Sequence, residues 1–291
     1  MASRFAKEGI GEVLLAAQMS PQLQKLLPSD VMLSTPHLTK DEFHLLLEYP
    51  LDENWDDKYV SPRANRFIVH NDHKNPLLAS LDTFYEKTAA FRPDLVIVSG
   101  LQMMDNFPID FEVRRQRIQV LRQSLIDLRT NDPKVRIHFE MASFSEEILL
   151  KTITETIFPI VDSIGLNEQE VNNLYNLYTY GNISFVSDPY PRVALVLDQM
   201  RHLYSMLNSE STGRLTRIHV HTLAFQAILA KKGSNWKALM ASSAKAALTA
   251  HRHTCGSEVI DVNKAKLIVD ESFSTTRSDS NKRRIGFDAK N

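Results

Sequence analysis

The chain has 291 residues, of which 43% are hydrophobic and 24% are charged, a composition typical of globular proteins. Lysine and arginine total 34 against 35 acidic residues, so the charge gives no basic footprint that would indicate nucleic-acid binding. The single cysteine, Cys255, cannot form an internal disulfide, and no apolar run reaches the roughly 18 residues of a membrane span.

The first quarter of the chain mixes short apolar runs with polar stretches. Pro21 stands at a favourable first-turn position of a helix. Two later strand-like runs are joined by a long polar stretch, which favours a small β-rich subdomain at residues 31–74. The predicted elements are a helix ending at Gly9, strand Glu12–Ala17, helix Ser20–Leu27, and strands Asp41–Tyr49 and Ala64–His70.

From residue 75 onwards, helical and strand-like patterns alternate, which implies an α/β domain with a mostly parallel sheet covered on both faces. The apolar run within Asp94–Ser99 predicts a strand buried on both faces. We expect a large domain of residues 1–30 and 75–271, and a flexible polar tail at 272–291. The other predicted strands are Val135–Met141, Ile160–Leu166, 183–186 and Arg217–Leu223. The predicted helices are Leu77–Phe91, Phe111–Arg129, Glu146–Ile157, Glu168–Leu177, Arg192–Leu207 and Trp236–His251.

Two carboxylates follow neighbouring strands of this predicted sheet. Glu140 stands near the C-terminal end of one strand, and Glu170 lies one turn into the helix after the next. Because ligands bind at the carboxyl ends of parallel strands, the two carboxylates could hold a hydrated Mg²⁺ there. Two local alternatives stay open. Asn167 and Glu170 also form a helix-capping pattern, and His138 and Glu140 also fit an ordinary polar pair on one strand face.

His219 and His221 share one face of a predicted strand. Two histidines alone do not make a metal site, so we expect them at a core or edge position. Cys255 has no identifiable base nearby in the sequence, so we expect a structural role for it.

The order of these features resembles a known family. A strand ending in His-x-Glu (His138–Glu140), then a helix, then a strand leading into Gly-Leu-Asn-Glu-x-Glu (Gly165–Glu170), is similar to the ADP-dependent sugar kinases. These kinases are the glucokinase and phosphofructokinase family of the ribokinase-like superfamily, whose fold the resemblance implies, with the β-rich subdomain as a lid. Runs that match the glucokinase branch found in animals cover nearly the whole chain: Glu42–Tyr49, Ala64–Ile68, Pro93–Met104, Val161–Glu170 and Leu215–Leu223.

The resemblance also implies roles for individual residues. Glu140 of the H-x-E motif and Glu170 of the N-x-x-E motif look like Mg²⁺ ligands, acting directly or through water. The implied reaction transfers a phosphoryl group from ADP to D-glucose and gives AMP and glucose 6-phosphate, a step of glycolysis. Such transfer needs positioning and charge neutralisation more than covalent help, and a closing lid would exclude water. The residues on the substrate side would be Glu48, Gly100, Gln102 and, behind Glu140, His138.

The sequence also departs from the family pattern. The family's catalytic base is the Asp of a G-x-G-D motif that opens a helix, and no such run occurs in the chain. Gly286-Phe287-Asp288 lacks one glycine, so we expect Asp288 to be a tail residue. A G-G-N-A segment that precedes the first helix in the family is absent too. We therefore expect an internal portion of a longer kinase, incomplete at both termini and without measurable kinase activity by itself.

Two other functions stay open: a non-catalytic portion that binds a metal, a nucleotide or a partner, and the phosphofructokinase branch. The animal-type runs Glu42–Tyr49 and Gly165–Glu170 argue against the second. We expect a monomer that takes D-glucose and ADP, with no nucleic-acid partner and no membrane span. The compartment stays open between the cytoplasm and the endoplasmic reticulum or secretory pathway.

Overall fold

The computed structural model describes residues 1–34, 38–62, 64–105, 107–183, 188, 190–210, 213–257 and 259–260. It forms two compact units, one of residues 1–92 and 107–124, and the other of residues 93–106 and those from 125 onwards. The predicted tail at 272–291 and most of the predicted strand at 183–186 lie outside the described residues. The predicted domain boundaries at residues 30 and 75 stay a prediction.

The first unit contains small sheets and short helices. Strand β1 (Val13–Leu15) pairs in parallel with β2 (Val31–Leu33). Strands β3 (Phe43–Tyr49) and β6 (Asn65–Asn71) lie where the sequence predicts two strands, and they pair as an antiparallel hairpin. A two-residue pair, β4 (Asn54–Trp55) and β5 (Tyr59–Val60), lies within the polar connection that joins the two strands of the hairpin. The helices are α1 (Ala2–Lys7), α2 (Pro21–Gln24), α3 (Leu81–Phe91) and the first part of α4 (Phe111–Asn131).

Local backbone chemistry sets where two helices of this unit begin. Ser20 caps α2, because its hydroxyl accepts a hydrogen bond from the Leu23 amide at 3.1 Å. Helix α3 begins at Leu81 and not at the predicted Leu77. Residues Asn75–Leu77 instead form a 3₁₀ turn, and Leu78 after them is left-handed with φ of 49°.

The β3–β6 hairpin is fastened at its base by one buried carboxylate. Asp72, which is 2% exposed, directly follows β6. Its Oδ1 accepts from the amides of Lys74 and Asn75, and its Oδ2 accepts from the Asn75 side chain at 2.6 Å. The His44 ring, on β3, lies 3.3 Å from the same Oδ2. One side chain therefore links the start of β3 to the end of β6.

The second unit is a five-stranded sheet in the order β11-β10-β9-β8-β7. Neighbouring strands β7 to β10 run parallel, and β11 runs antiparallel to β10. The strands are β7 (Leu95–Val98), β8 (Arg136–Glu140), β9 (Ser163–Asn167), β10 (Arg217–His221) and β11 (Gln226–Ala230). The helices are the last part of α4, α5 (Glu147–Thr156), α6 (Glu168–Tyr180), α7 (Val193–Glu210) and α8 (Leu239–Cys255). Among the described residues, no helix has the length and apolarity to cross a membrane.

Two details of the sheet differ from the prediction. Strand β7 was expected to be buried on both faces. Val96 and Val98 on one face are buried, but Leu95 on the other face is 37% exposed, and β7 is an edge strand of the sheet that the described residues form. Strand β11 was not predicted, because its run of five residues is short and follows β10 after only four residues. The mostly parallel α/β sheet is otherwise as expected.

The two faces of the sheet differ sharply in polarity. Side chains alternate along a strand, so every second residue of β8, β9 and β10 lies on one face. One face is apolar and 0–1% exposed, and each of its side chains contributes about 1.5–3 kcal/mol by burial. The other face carries polar groups, and the candidate site lies on this face. The apolar set is Ile137, Phe139, Ile164, Leu166, Ile218 and Val220.

Candidate functional site

The site is built around the carboxylate of Glu140, the last residue of β8. Its Oε2 accepts a hydrogen bond from His138 Nε2 at 2.9 Å, and its Oε1 accepts from His221 Nε2 at 3.0 Å. His138 is a neighbour on the same strand, whereas His221 lies on β10, two strands away. Glu140 is therefore held from both sides by imidazole rings.

Strand register explains how His221 reaches Glu140 across β9. Glu140 pairs with Gly165 on β9, and Asn167, two residues further along β9, pairs with His221. A Cβ atom placed on Gly165 would stand 2.1 Å from Glu140 Oε2 and 3.2 Å from His138 Cε1. The missing side chain at position 165 is thus the space that the carboxylate occupies.

His138 has a second contact on its far side. Its Nδ1 lies 2.9 Å from Ser163 Oγ, and the same hydroxyl accepts a hydrogen bond from Arg217 Nη1 at 2.9 Å. The Arg217 guanidinium lies over the Trp236 ring, 5.1 Å from its centroid. His138 and Ser163 are buried, and Arg217 is half-buried.

Glu170 is held by the first turn of its own helix, α6. Its Oε2 accepts from the Asn167 amide and its Oε1 from Asn167 Nδ2, both at 2.8 Å. Asn167 Oδ1 accepts in return from the amides of Gln169 and Glu170. This is a complete capping box, so the capping interpretation of Glu170 is confirmed.

The two carboxylates have opposite electrostatic environments. Burial acts to raise the pKa of Glu140, but the hydrogen bonds from His138 and His221 outweigh it and bring the pKa down to about 2. Burial raises the pKa of Glu170 to about 7, and the negative charges of Glu140 and Glu168 act in the same direction. The hydrogen bond to Glu140 raises the pKa of His221. Glu140 is therefore the ionised carboxylate of the pair, whereas Glu170 readily takes up a proton near neutral pH.

The donor set fits a hydrated Mg²⁺ better than a metal ion enclosed by protein ligands. Each oxygen of Glu140 accepts one imidazole and keeps a further lone pair, because a carboxylate offers about four acceptor sites. Among the described residues, no group of three or more His, Cys, Asp or Glu side chains has the geometry to hold a metal ion. Mg²⁺ commonly uses one or two carboxylates with waters and phosphate oxygens, which matches Glu140 with Glu170.

The remaining predicted site residues lie in two places. Gly100 follows the carboxyl end of β7. It has a φ of 88° and precedes a 3₁₀ helix at Leu101–Met104. Gln102 lies in that helix, and its buried Oε1 has no hydrogen-bond partner among the described residues. Glu48 belongs to the other unit, on β3, where it lines an open depression of about 570 Å³ with Asn65 and Arg66.

Three residues of the site were missed in the sequence: Ser163, Gly165 and Arg217. His221 was expected, with His219, at a core or edge position, but it bonds Glu140. Glycine in the interior of a strand is a signal of close approach by another group, so Gly165 could have been noticed. Arg217 stands two residues before His219, so the same alternation places it on the face of β10 that carries the two histidines, and it too could have been noticed. His219 instead bonds Gln226 on β11 at 2.9 Å.

The family model described as the ADP-specific phosphofructokinase/glucokinase conserved region matches residues 1–291. The chain belongs to this family. The resemblance in the sequence to the ADP-dependent sugar kinases is thereby confirmed.

Two curated relatives carry the glucokinase name. The chain is 35% identical to the ADP-dependent glucokinase of Bos taurus over 285 residues, which are 96% of this chain and 56% of that protein. It is 32% identical to the probable ADP-dependent glucokinase of Caenorhabditis elegans, covering 90% of this chain and 53% of that protein. The chain thus spans about half the length of the curated relatives it matches.

Relatives named as phosphofructokinases are more distant. The ADP-specific phosphofructokinase of Methanosarcina acetivorans is 27% identical over 65% of this chain and 38% of that protein. A solved structure, "ADP-dependent kinase complex with fructose-6-phosphate and ADPbetaS", superposes with a TM-score of 0.57 at 21% identity, covering 79% of this chain and 54% of that one. The fold is therefore that of the ADP-dependent kinases.

The family's G-x-G-D motif has no counterpart in this chain. The G-x-G spacing occurs at Gly9 and Gly11, but Glu12 follows it, and the next element is the strand β1 and not a helix. The Gly286-Phe287-Asp288 run lies outside the described residues.

Proposed function

We propose that this chain forms the cation-binding and sugar-facing part of a kinase that transfers a phosphoryl group from ADP to D-glucose. The products would be AMP and glucose 6-phosphate. The two relatives that are named glucokinases match at least 90% of the chain, which supports glucose over fructose 6-phosphate. The observation that carries the proposal is the Glu140 carboxylate, held by two imidazoles at the carboxyl ends of a parallel sheet, near Glu170.

Within this proposal, each group has a physical task. Glu140 and Glu170 would hold Mg²⁺ through water, and the ion when bound would neutralise phosphate charge on ADP. His138 and His221 keep Glu140 ionised and oriented. Gln102 Oε1 is a buried acceptor that has no hydrogen-bond partner in the described part of the chain, and it would accept a hydrogen bond from the sugar. Glu48 on β3 would contact the sugar from the lid.

A cation titration tests the proposal directly. The spin-active ion Mn²⁺ is added to the chain with ADP present, and free Mn²⁺ is followed by electron paramagnetic resonance. We expect saturable binding that Glu140→Ala weakens at least tenfold, because that variant removes the carboxylate that both imidazoles hold. Glu155→Ala, on α5, is a matched control that should bind as the unchanged chain does.

The sugar is tested separately, by saturation-transfer NMR with D-glucose and with fructose 6-phosphate. Signals from D-glucose are expected. Signals from fructose 6-phosphate alone would reject the glucose assignment and favour the phosphofructokinase branch.

A second candidate function is binding without catalysis. It is favoured by one observation, the absence of a G-x-G-D run from the sequence. It predicts the same cation binding, but no conversion of ADP to AMP.

A further inference from the structure

Three polar side chains form a row across the middle of the second unit's sheet. His138 on β8 pairs in register with Ser163 on β9, and Ser163 pairs in register with Arg217 on β10. All three therefore project from the same face at the same level. His138 has a role in the proposed function, but Ser163 and Arg217 do not.

Donor and acceptor rules fix the direction of this row. A guanidinium can only donate, so Ser163 Oγ accepts from Arg217. The serine proton is then free to be donated to His138 Nδ1, 2.9 Å away. When Nδ1 accepts, the proton of the ring is on Nε2, and Nε2 faces Glu140 Oε2 at 2.9 Å. The neighbours of His138 thus decide which ring nitrogen carries the proton: Ser163 makes Nδ1 an acceptor, and Glu140 makes Nε2 a donor.

Arg217 is itself anchored. Its guanidinium lies over the Trp236 ring, and Trp236 Nε1 donates to Thr216 Oγ1 at 2.9 Å. A stacked guanidinium keeps its plane, and therefore keeps Nη1 directed at the serine. The row of contacts therefore runs from Arg217, which stacks on Trp236, through Ser163 and His138 to Glu140.

We propose that Ser163 and Arg217 are positioning residues that act through His138 to hold the Glu140 carboxylate in one orientation for a divalent cation. Groups behind a metal-binding side chain set its orientation, and their loss typically weakens metal affinity about 10–100-fold. The cation itself rests on the proposed function. The orientation of His138 does not, so the two ideas can be tested apart.

A purely structural role makes a different prediction. If the row only satisfied buried polar groups, its loss would lower stability but leave His138 and the cation unaffected. The protonation pattern of the His138 ring is therefore the decisive measurement.

The experiment uses the chain labelled with ¹⁵N-histidine and long-range ¹H–¹⁵N NMR, with the His138 signal assigned by its loss in His138→Gln. We expect the Nε2–H pattern in the unchanged chain, and an averaged or Nδ1–H pattern in Ser163→Ala and Arg217→Met. Arg217→Lys, which keeps a donor, should restore the pattern in part. Ser124→Ala and Arg201→Met are matched controls, because Ser124 donates only to the Val120 carbonyl and Arg201 pairs with Asp198.

Mn²⁺ affinity is measured on the same samples. Ser163→Ala and Arg217→Met should bind about 10–100-fold more weakly, and the controls should be unchanged. An unaltered His138 pattern in both variants overturns the proposal, whether or not their stability falls. If the unchanged chain binds no Mn²⁺, the proposed function fails, and the His138 pattern alone decides the positioning role. If Arg217→Met does not fold, Ser163→Ala and Arg217→Lys decide.

Discussion

At the scale of single residues, Glu140 and Glu170 show how one kind of side chain is held in two ways. Glu140 is ordered by donors on its own strand and on β10. Glu170 is ordered by its own helix through a capping box. The hydrogen bonds from His138 and His221 lower the pKa of Glu140. Burial raises the pKa of Glu170, although the hydrogen bond from the Asn167 amide acts to lower it. A cap and a cation ligand are compatible roles, since the cap fixes where the carboxylate stands.

Gly165 gives a sharp prediction at this scale. Gly165→Ala should destabilise the chain by about 1–3 kcal/mol, because the new methyl group would overlap Glu140 Oε2 at 2.1 Å. It should also weaken Mn²⁺ binding, since Glu140 must leave its place between the two imidazoles. Urea unfolding and the Mn²⁺ titration measure the two effects.

A double-mutant cycle supplies the control for this prediction. In a Glu140→Ala background, the two nearest atoms, both of Glu140, are gone, and His138 Cε1 at 3.2 Å becomes the nearest of the three. The loss of unfolding free energy caused by Gly165→Ala should then be clearly smaller. An equal cost in both backgrounds would show that Glu140 does not occupy this space.

At the scale of elements, the β3–β6 hairpin depends on the buried Asp72 at its base. Burial acts to raise the pKa of Asp72, but hydrogen bonds from Asn75, His44 and its other neighbours outweigh it, so the pKa is lowered. A carboxyl with a lowered folded-state pKa stabilises the fold above its unfolded pKa, near 4. That contribution is lost as the pH falls below this value and through the folded-state pKa.

Asp72→Asn should therefore cost about 1–3 kcal/mol at pH 7, because a neutral amide would face the donors of Asn75 and His44. The difference from the unchanged chain should shrink as the pH falls from 5 to 2. Urea unfolding at each pH measures it. The exposed Asp57→Asn, in the same unit, should show little difference at any pH. If Asp72→Asn lowers the free energy of unfolding equally at every pH in this range, the ionised carboxylate does not stabilise the hairpin.

At the scale of the whole molecule, the chain holds two compact units and matches about half the length of its curated relatives. Its second unit places Glu140 and Glu170 at the carboxyl ends of a sheet, where the proposed function needs charge neutralisation. No G-x-G-D run occurs in the sequence, so a base for the sugar hydroxyl is not identified.

We therefore expect no measurable kinase activity from this chain alone. The measurement is a coupled assay for glucose 6-phosphate with ADP, Mg²⁺ and D-glucose, with AMP followed by chromatography. Mn²⁺ binding in the same preparation serves as the control for a folded site. Steady formation of glucose 6-phosphate and AMP would show that another group acts as the base.

The sequence by itself determined most of the elements and the faces of the central strands. The period-2 and helical patterns located β3, β6 and most of the parallel sheet, and they placed His138 with Glu140 and Asn167 with Glu170. These are local features, because residues two or three positions apart are brought together by the backbone geometry of a strand or a helix turn.

Only the tertiary structure decided what surrounds Glu140. His221 is 81 positions away in the chain, and it reaches the carboxylate because β8, β9 and β10 are adjacent and Gly165 leaves space between them. Ser163 and Arg217 join His138 for the same reason, through strand order and register. Order and register follow from burying one whole face of the sheet, which is a property of the assembled fold and of no single segment.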